Sequence, residues 1–406
     1  MADYIDARQA AERLGVSRQT LYAYVSRGLI KALPGDDPRQ SRYLADAVEQ
    51  LAETRRRGRK PREIAKATLD WGMPVLESGL TLIENGECYY RGQSAVELSR
   101  TASLEDIAAL LWQAPVETAF PRRAPITIKA YLELASQAGN TLAAESLLPL
   151  FAVAARDEPT SAWRTDPAAL ARGSGDLVRI LAACAIGQAP SSAPVHQQLA
   201  ASWGVDAAGA GLIRQALVLC ADHELNASSF TARCIASAGA SLKAVIVGAL
   251  AALSGIKHGA TTTSVESLWT SIDPDAPARS LRDRLQAGGA LPGFGHPLYP
   301  DGDIRARALL SAMGADFPEA SRLTAAVDDL TGTAPSIDFA LVALRRYLRL
   351  PEGAAFLLFA IGRSVGWIAH GLEQRTTNQL IRPRALYTGK RPKQARERLA
   401  GDSSTG

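Results

Sequence analysis

Residues 221–263 constrain this chain most. They open ADHELNASSFTAR and close LSGIKHGATTT, and two of the protein's five histidines, His223 and His258, stand near the two ends. Between them residues 236–253 are small and apolar, with helical character. An apolar helix flanked by two imidazoles is an unusual use of a scarce residue. It sets the question for the rest of the chain, which is what His223 and His258 work with.

The chain has 406 residues, enough to bury a sizeable core in two or three domains. Hydrophobic residues make up 47% and charged residues 21%, the balance of a soluble globular protein. Alanine and leucine dominate, aromatics are few and β-branched runs are rare, so the expected class is mostly all-α. Cys88, Cys184, Cys220 and Cys234 form no CxxC pair and read as reduced and structural. The N-terminal MADYIDARQA has no apolar core of the signal-peptide kind. The longest apolar run, residues 244–253, is far short of the roughly 20 residues of a membrane helix. The expectation is a cytoplasmic protein with no membrane contact.

Charge is unevenly spread. Residues 1–62 hold 13 of the 45 Lys+Arg and 8 of the 41 Asp+Glu, a balance of +5; the rest holds 32 against 33, or −1. A small basic unit in front of a neutral body points to a polyanion partner for that unit alone. Residues 6–14 read as a short helix with Ala7, Ala10 and Leu14 on one face, broken at Gly15. Ser17 can cap a second helix, RQTLYAYVSRG, ending at Gly28. Leu21 and Val25 face its core, leaving Arg18, Gln19, Tyr22 and Ser26 outside, the spacing of a helix-turn-helix. PGDDPRQSR could form a wing, and residues 44–54 read as a third helix. RRRGRKPR at 55–62 is a linker or a further phosphate contact. AAERLGVSRQTLYAYVSRGLI followed by SRYL resembles the small DNA-binding domains of the MerR and excisionase type. That resemblance implies DNA contact through Arg18, Gln19 and Tyr22. A helical protein–protein module with solvated arginines is the other reading.

Residues 63–220 read as scaffold. Asn85-Gly86 signals a hairpin between strands near 81–83 and 88–91. SLEDIAALLWQ starts a helical series with a Ser cap, continued by helices at 126–138, 141–155 and 168–187. His196, in VHQQLAASWG, reads as a packing residue, and no HxxxH or HExxH spacing offers a metal site.

The chemistry-bearing residues come later. GFGHPLY places His296 between Gly293 and Gly295, which let backbone approach a ligand closely. Arg305 follows at the start of a helical pattern, and Asp338 opens an apolar helix at 339–344. Arg363 sits in GRSVGWIAHGLEQ; Arg382 and Arg384 flank Pro383 in IRPRALYTG. Singly, Asp338 could be a helix cap, a lone His a core residue and a lone Arg solvated. Together, three His, one Asp and several Arg in glycine-rich settings suit a polycarboxylate site with an acid–base pair.

ADHELNAS, His258-Gly259, GFGHPLY with Arg305, Asp338-Phe339, and GRSVGWIAH with RPRALYTG resemble citrate synthase in order and spacing. The resemblance covers residues 66–389, roughly four fifths of the chain. It implies a condensation of acetyl-CoA, a co-substrate rather than a bound cofactor, with oxaloacetate. Asp338 would take a proton from the acetyl methyl, His258 would hydrogen-bond the thioester oxygen, and His296 would polarise the ketone. His223, Arg305 and Arg363 would bind the carboxylates, with Arg382 contributed by the second subunit of a homodimer. The implied layout is a DNA-binding-like domain with its basic linker (1–62), a large helical domain (63–260 and 346–406) and an inserted small helical domain (261–345). Gly255, Gly259 and the 345–353 turn are its candidate hinges. The family's pattern around the first catalytic histidine is Leu-His-Gly-Gly-Ala-Asn; residues 257–262 here read Lys-His-Gly-Ala-Thr-Thr. Where the family often has a basic residue, four after the second catalytic histidine, this chain has Pro300. These departures leave open a 2-methylcitrate synthase that takes propionyl-CoA, and a DNA-binding regulator whose body senses citrate or oxaloacetate.

Overall fold

Asp6 decides where the first helix begins. Its carboxylate accepts from the backbone N–H groups of Arg8 and Gln9 (both 2.8 Å), while Gln9 Oε1 accepts from the Asp6 N–H (3.1 Å). This reciprocal cap starts α1 (Ala7–Leu14), which Gly15 ends at φ +61°. Ser17 Oγ then accepts from the Thr20 N–H (3.2 Å) at the start of α2 (Arg18–Ser26).

The computed structural model describes residues 4–26, 30, 32–34, 41–45, 47–49, 51–52, 76–137, 144–314, 317–385 and 387–390. Side chains at 18, 19, 23, 26, 34 and 144 lie outside that set. The chain divides into two compact units, Met1–Glu77 and Ser78–Gly406. In the first, β1 (Tyr4–Asp6) and β2 (Ala32–Pro34) pair antiparallel on either side of β3 (Ser41–Leu44). Described positions from 45 to 52 are helical, as the third-helix expectation required. Ala10, Leu14, Leu21, Ile30, Tyr43 and Val48 form its core. Tyr22 is 52% exposed on α2, as its face predicted. The turn between β2 and β3 and the 55–62 basic run lie outside the described residues, as do the side chains of Arg18 and Gln19.

The second unit opens with a small meander. Asn85 and Gly86 both take positive φ (52° and 76°), the conformation a two-residue hairpin needs. They join β4 (Thr81–Glu84) to β5 (Glu87–Tyr90), and β6 (Gln93–Ser94) pairs on its far side. Helices follow: α3 (Ala95–Thr101), α4 (Leu104–Trp112), α5 (Val116–Ala119), α6 (Lys129–Gln137), α7 (Leu147–Ala154), α8 (Pro167–Ile186) and α9 (Val195–Ser202). The expected Ser103 cap of α4 is present, closed by Asp106 into a capping box. Next come α10 (Ala207–Leu219), α11 (Ala227–Ser237), α12 (Leu242–Leu253), α13 (Thr261–Ser271) and α14 (Pro277–Gln286). The last are α15 (Ile304–Ala312), α16 (Pro318–Thr331), α17 (Ile337–Tyr347) and α18 (Ala354–Thr377).

The apolar segment at 236–253 is not one helix. Gly239 takes φ +79°, and Ser241 recaps the chain through the Ala244 N–H, so α11 and α12 form a helical hairpin. The hairpin folds His258 back onto the start of α11. At the centre lies α18, a 24-residue helix long and apolar enough to cross a membrane by composition, but with 94% of its most apolar 18-residue stretch buried within the protein. Its glycines permit that burial. A Cβ on Gly362 would stand 2.7 Å from the Leu217 carbonyl oxygen, and one on Gly366 would stand 2.3 Å from Asp222 Oδ1. The helix therefore runs against the end of α10 and the 220–222 turn at backbone contact distance.

Gly366→Ala should lower stability by at least about 2 kcal/mol through overpacking. Gly211→Ala on α10, where a Cβ meets nothing within 4 Å, should raise it by about 0.5–1 kcal/mol. Urea denaturation of the two variants beside the wild type reads both signs.

Candidate active site

His223 sits at the turn between α10 and α11. The turn is held by the Gly366 N–H, which donates to the Ala221 carbonyl (3.0 Å), and Glu224 takes φ +53°, rare for a residue with a side chain. His223 Nε2 lies 3.0 Å from the Tyr299 hydroxyl, and its ring meets His296 edge-on at 5.2 Å. His296 rides on a glycine loop in which Gly293 and Gly295 take φ of +85° and +73°. A Cβ on Gly293 would stand 2.6 Å from Val265, so the loop lies flush against α13. The Leu298 N–H donates to His296 Nδ1 (3.2 Å), so a neutral His296 carries its proton on Nε2.

His258 lies in the turns between α12 and α13. Its Nε2 is 2.8 Å from Ser228 Oγ, which accepts from Trp367 Nε1 (3.0 Å) and lies 2.7 Å from Asn226 Oδ1. Phe359 on α18 stands edge-on to His258 at 6.0 Å and carries the Arg363 guanidinium 4.8 Å above its face. Gly259 is packed rather than loose, because a Cβ there would stand 2.6 Å from Leu253. Lys257 is exposed.

Two guanidiniums enter this region fully buried. Arg305 on the first turn of α15 is held twice by Asp303, Nε to Oδ1 at 2.9 Å and Nη2 to Oδ2 at 2.8 Å. Asp303 also accepts from the backbone N–H groups of Arg305 and Ile337 (3.0 Å each), locking α15 to the start of α17. Arg363 has no such fork. Its Nε donates to the Cys220 carbonyl (2.7 Å), and among the described residues its terminal nitrogens make no further hydrogen bond.

Burial, then Arg363, pushes His258 down to about 4. Burial and Arg305 push His296 down to about 4 against Asp303, and His223 lies well below the usual range through burial, Arg305 and Arg363. All three imidazoles are neutral at pH 7. Asp338 moves the other way. It lies on the first turn of α17, where a helix N-terminus favours a carboxylate, yet burial outweighs that and, with Asp303 opposing Arg305, raises it to about 6. Its Oδ2 is 3.4 Å from the Ser336 hydroxyl, and Oδ1 has no hydrogen-bond partner among the described residues. Ser336 occupies the N-cap position of α17 without a side-chain cap bond, and Asp338 lies inside the first turn, so Asp338 is not the cap.

The structure thus brings His223, His258, His296, Arg305, Asp338 and Arg363 into one electrostatic neighbourhood. It does not bring Arg382 or Arg384 there; both are exposed beyond the end of α18. His196 is half-buried on α9, away from the cluster. Sequence reasoning missed Tyr299, Ser228, Trp367 and Asp303. Asp303, two residues before Arg305 at a helix start, was the findable one, as an N-cap signal. A depression of about 470 Å³ lined by Gly302, Asp303, Arg307, Ala334 and Pro335 also adjoins α15, but Asp338 and the three histidines do not line it. Among the described residues no His, Cys, Asp and Glu side chains gather as a metal site would require.

A family model for the citrate synthase C-terminal domain matches residues 68–384, and one for a helix-turn-helix domain matches residues 4–56. The citrate synthase of Haloferax volcanii is 36% identical over 188 residues, covering 43% of this chain and 49% of that protein. The 2-methylcitrate synthase 2 of Corynebacterium glutamicum is 34% identical over 189 residues, covering 43% and 48%. The chain thus spans about half the length of the curated relatives it matches. The citrate synthase structure from Thermotoga maritima superposes with a TM-score of 0.66 at 26% identity, covering 79% of this chain and 94% of that one. With the citrate synthase domain matched over residues 68–384, more than half of the chain, this chain belongs to the citrate synthase family.

Proposed function

We propose that the protein condenses acetyl-CoA with oxaloacetate and hydrolyses the resulting citryl-CoA to citrate and CoA. The observation that carries this is Asp338, a carboxyl raised to about 6 with one oxygen unpartnered among the described residues, sharing the field of Arg305 with the neutral imidazoles of His223 and His296. A thioester methyl is a very weak acid, so a base and an oxygen stabiliser must act together. Asp338 takes the methyl proton. His258 donates to the thioester oxygen through Nδ1–H, which requires the Ser228 hydroxyl proton to point at Nε2. In the structure that hydroxyl donates to Asn226 Oδ1 (2.7 Å), so it must turn to His258 on binding; Asn226 Oδ1 keeps the Ser228 and Ser229 backbone N–H groups (3.0 Å each) when it does. The enol carbon then attacks the oxaloacetate ketone, whose oxygen receives the His296 Nε2–H. His223, Arg305 and Arg363 hold the two carboxylates, and Arg382 comes from the second subunit of a homodimer. Residues 261–345 act as the small domain that closes over the substrates.

Relatives of both donor types leave propionyl-CoA, and so 2-methylcitrate, as the second reading. Unit 1 supports a third activity, duplex DNA binding through Arg18, Gln19 and Tyr22 on α2. This rests on the helix-turn-helix match and the +5 balance of residues 1–62.

Thiol release from acetyl-CoA should require oxaloacetate and exceed that from propionyl-CoA. Release from neither donor would leave only the sensing regulator. The acid limb of kcat/KM should lie near pH 6, where Asp338 gains its proton, since the histidines at about 4 titrate lower.

Asp338→Asn should abolish turnover yet stabilise the fold. The folded value lies above the unfolded 3.8, so ionisation in the fold is penalised above pH 6 and not below 3.8. The gain at pH 8 should be at most about 3 kcal/mol, less whatever the cleft's solvent screens, and should vanish toward pH 4. Urea curves at the two pH values check it.

For unit 1, band shifts on mixed-sequence duplex should weaken with salt. Arg18→Ala should reduce the slope of log affinity against log salt by about 1. Absence of salt-sensitive binding would remove the DNA reading.

A further inference from the structure

The proposed reaction leaves one fully buried histidine unused. His370 on α18 is 0% exposed, as is Asp222, the residue before His223. Arg233 Nε donates to His370 Nδ1 (3.0 Å). A guanidinium only donates, so Nδ1 holds the lone pair and the proton sits on Nε2. That nitrogen faces Asp222 Oδ1 at 3.3 Å. Asp222 Oδ2 accepts from the Thr81 hydroxyl (2.6 Å). On the other side Arg233 Nη1 donates to Gln374 Oε1 (3.2 Å), and Nη2 pairs with the Glu373 carboxylate. Glu373 is held in turn by the Ser78 hydroxyl and the Gly79 N–H (2.8 Å each).

This is a buried chain of contacts from Arg233 through the imidazole to a carboxylate, a hydrogen bond at the Arg233 end and a close approach without hydrogen-bond geometry at the Asp222 end. It ends one residue before His223, and the turn beyond it has little slack. Gly366 closes on Asp222 Oδ1, and Glu224 is already in the left-handed region. Burial opposes the charge on Asp222, but His370, Arg363 and Thr81 outweigh it and hold the carboxyl below its usual range. Arg363, which has no acid bonded to it, also feels Asp222 as its largest favourable charge.

We infer that Asp222 and His370 are positioning residues for dicarboxylate recognition, fixing the orientation of His223 and the charge balance of Arg363. The inference rests on the oxaloacetate reading of the site. Asp222→Asn keeps the shape and removes the carboxylate charge that His370 and Arg363 face. Its amide oxygen can still meet His370 with its nitrogen toward Thr81, so the loss it reads is that of the charge. His370→Gln can accept from Arg233 and donate to Asp222; His370→Leu fills space and does neither.

The test uses the full chain. Oxaloacetate affinity is measured by calorimetry, and KM for each substrate at saturating levels of the other. Asp222→Asn should weaken oxaloacetate binding and raise its KM at least tenfold, with KM for acetyl-CoA within twofold. His370→Leu should follow it and His370→Gln should recover most of the loss. If either disruptive variant does not fold, Thr81→Val decides, with a smaller, two- to fivefold loss confined to oxaloacetate. Unchanged oxaloacetate affinity, equal losses for both substrates, or no difference between Gln and Leu at 370 overturns the positioning role. A wild-type protein that binds no oxaloacetate overturns the reading beneath it instead.

Discussion

Three of the four largest fully buried side chains among the described residues are arginines: Arg233, Arg305 and Arg363. A guanidinium cannot shed its charge, so each must be answered inside a core otherwise built from aliphatic helices. Arg233 is answered by Glu373 and a histidine. Arg305 is answered by a carboxylate that also ties two helix starts together. Among the described residues Arg363 receives only a carbonyl and an aromatic face. The unequal answers leave Arg363 the least compensated of the three among the described residues. The same positive charge, added to burial, keeps the neighbouring imidazoles neutral donors.

The site's reactive groups arrive on helix ends and turns, where the rigid core fixes the backbone but the side chain projects free. Asp338 stands on the first turn of α17, Arg305 on the first turn of α15 and His258 between α12 and α13. Asp338 shows the conflict such placement carries. The helix terminus and Arg305 favour its charge, while burial disfavours it more strongly. A carboxyl held near neutrality is the outcome, at the expense of fold stability.

Local signals in the sequence were legible wherever one residue type has one physical use. Asn85-Gly86, Gly15, Ser17 and Ser103 each appear in the role their chemistry predicts. The break at 238–241 was not legible, because Ala, Ser and Gly there continue the composition of the helices on either side. A left-handed glycine followed by a serine cap is a clear signal only once a break is sought. Asp338 was open to the capping reading until Ser336 was seen in that place. Tyr299, Asp222 and His370 stand in the quoted motifs but had no assigned role, for another reason. Their partners lie 76 to 141 residues away, so no local pattern exposes them. The family motifs nevertheless named six residues that the fold brings together, since motif order reflects the same long-range geometry.

The hairpin of α11 and α12 has a consequence for how this chain can drift. Point substitutions on the solvent face of α12 leave His258 where it is. A single-residue insertion or deletion within the helix would turn everything beyond it by about 100° and shift it by about 1.5 Å, carrying the imidazole off Ser228. A change of loop length at 238–241 can be taken up before the Ser241 cap. Along this segment it is the length of α12, more than the identity of its residues, that inheritance has to preserve.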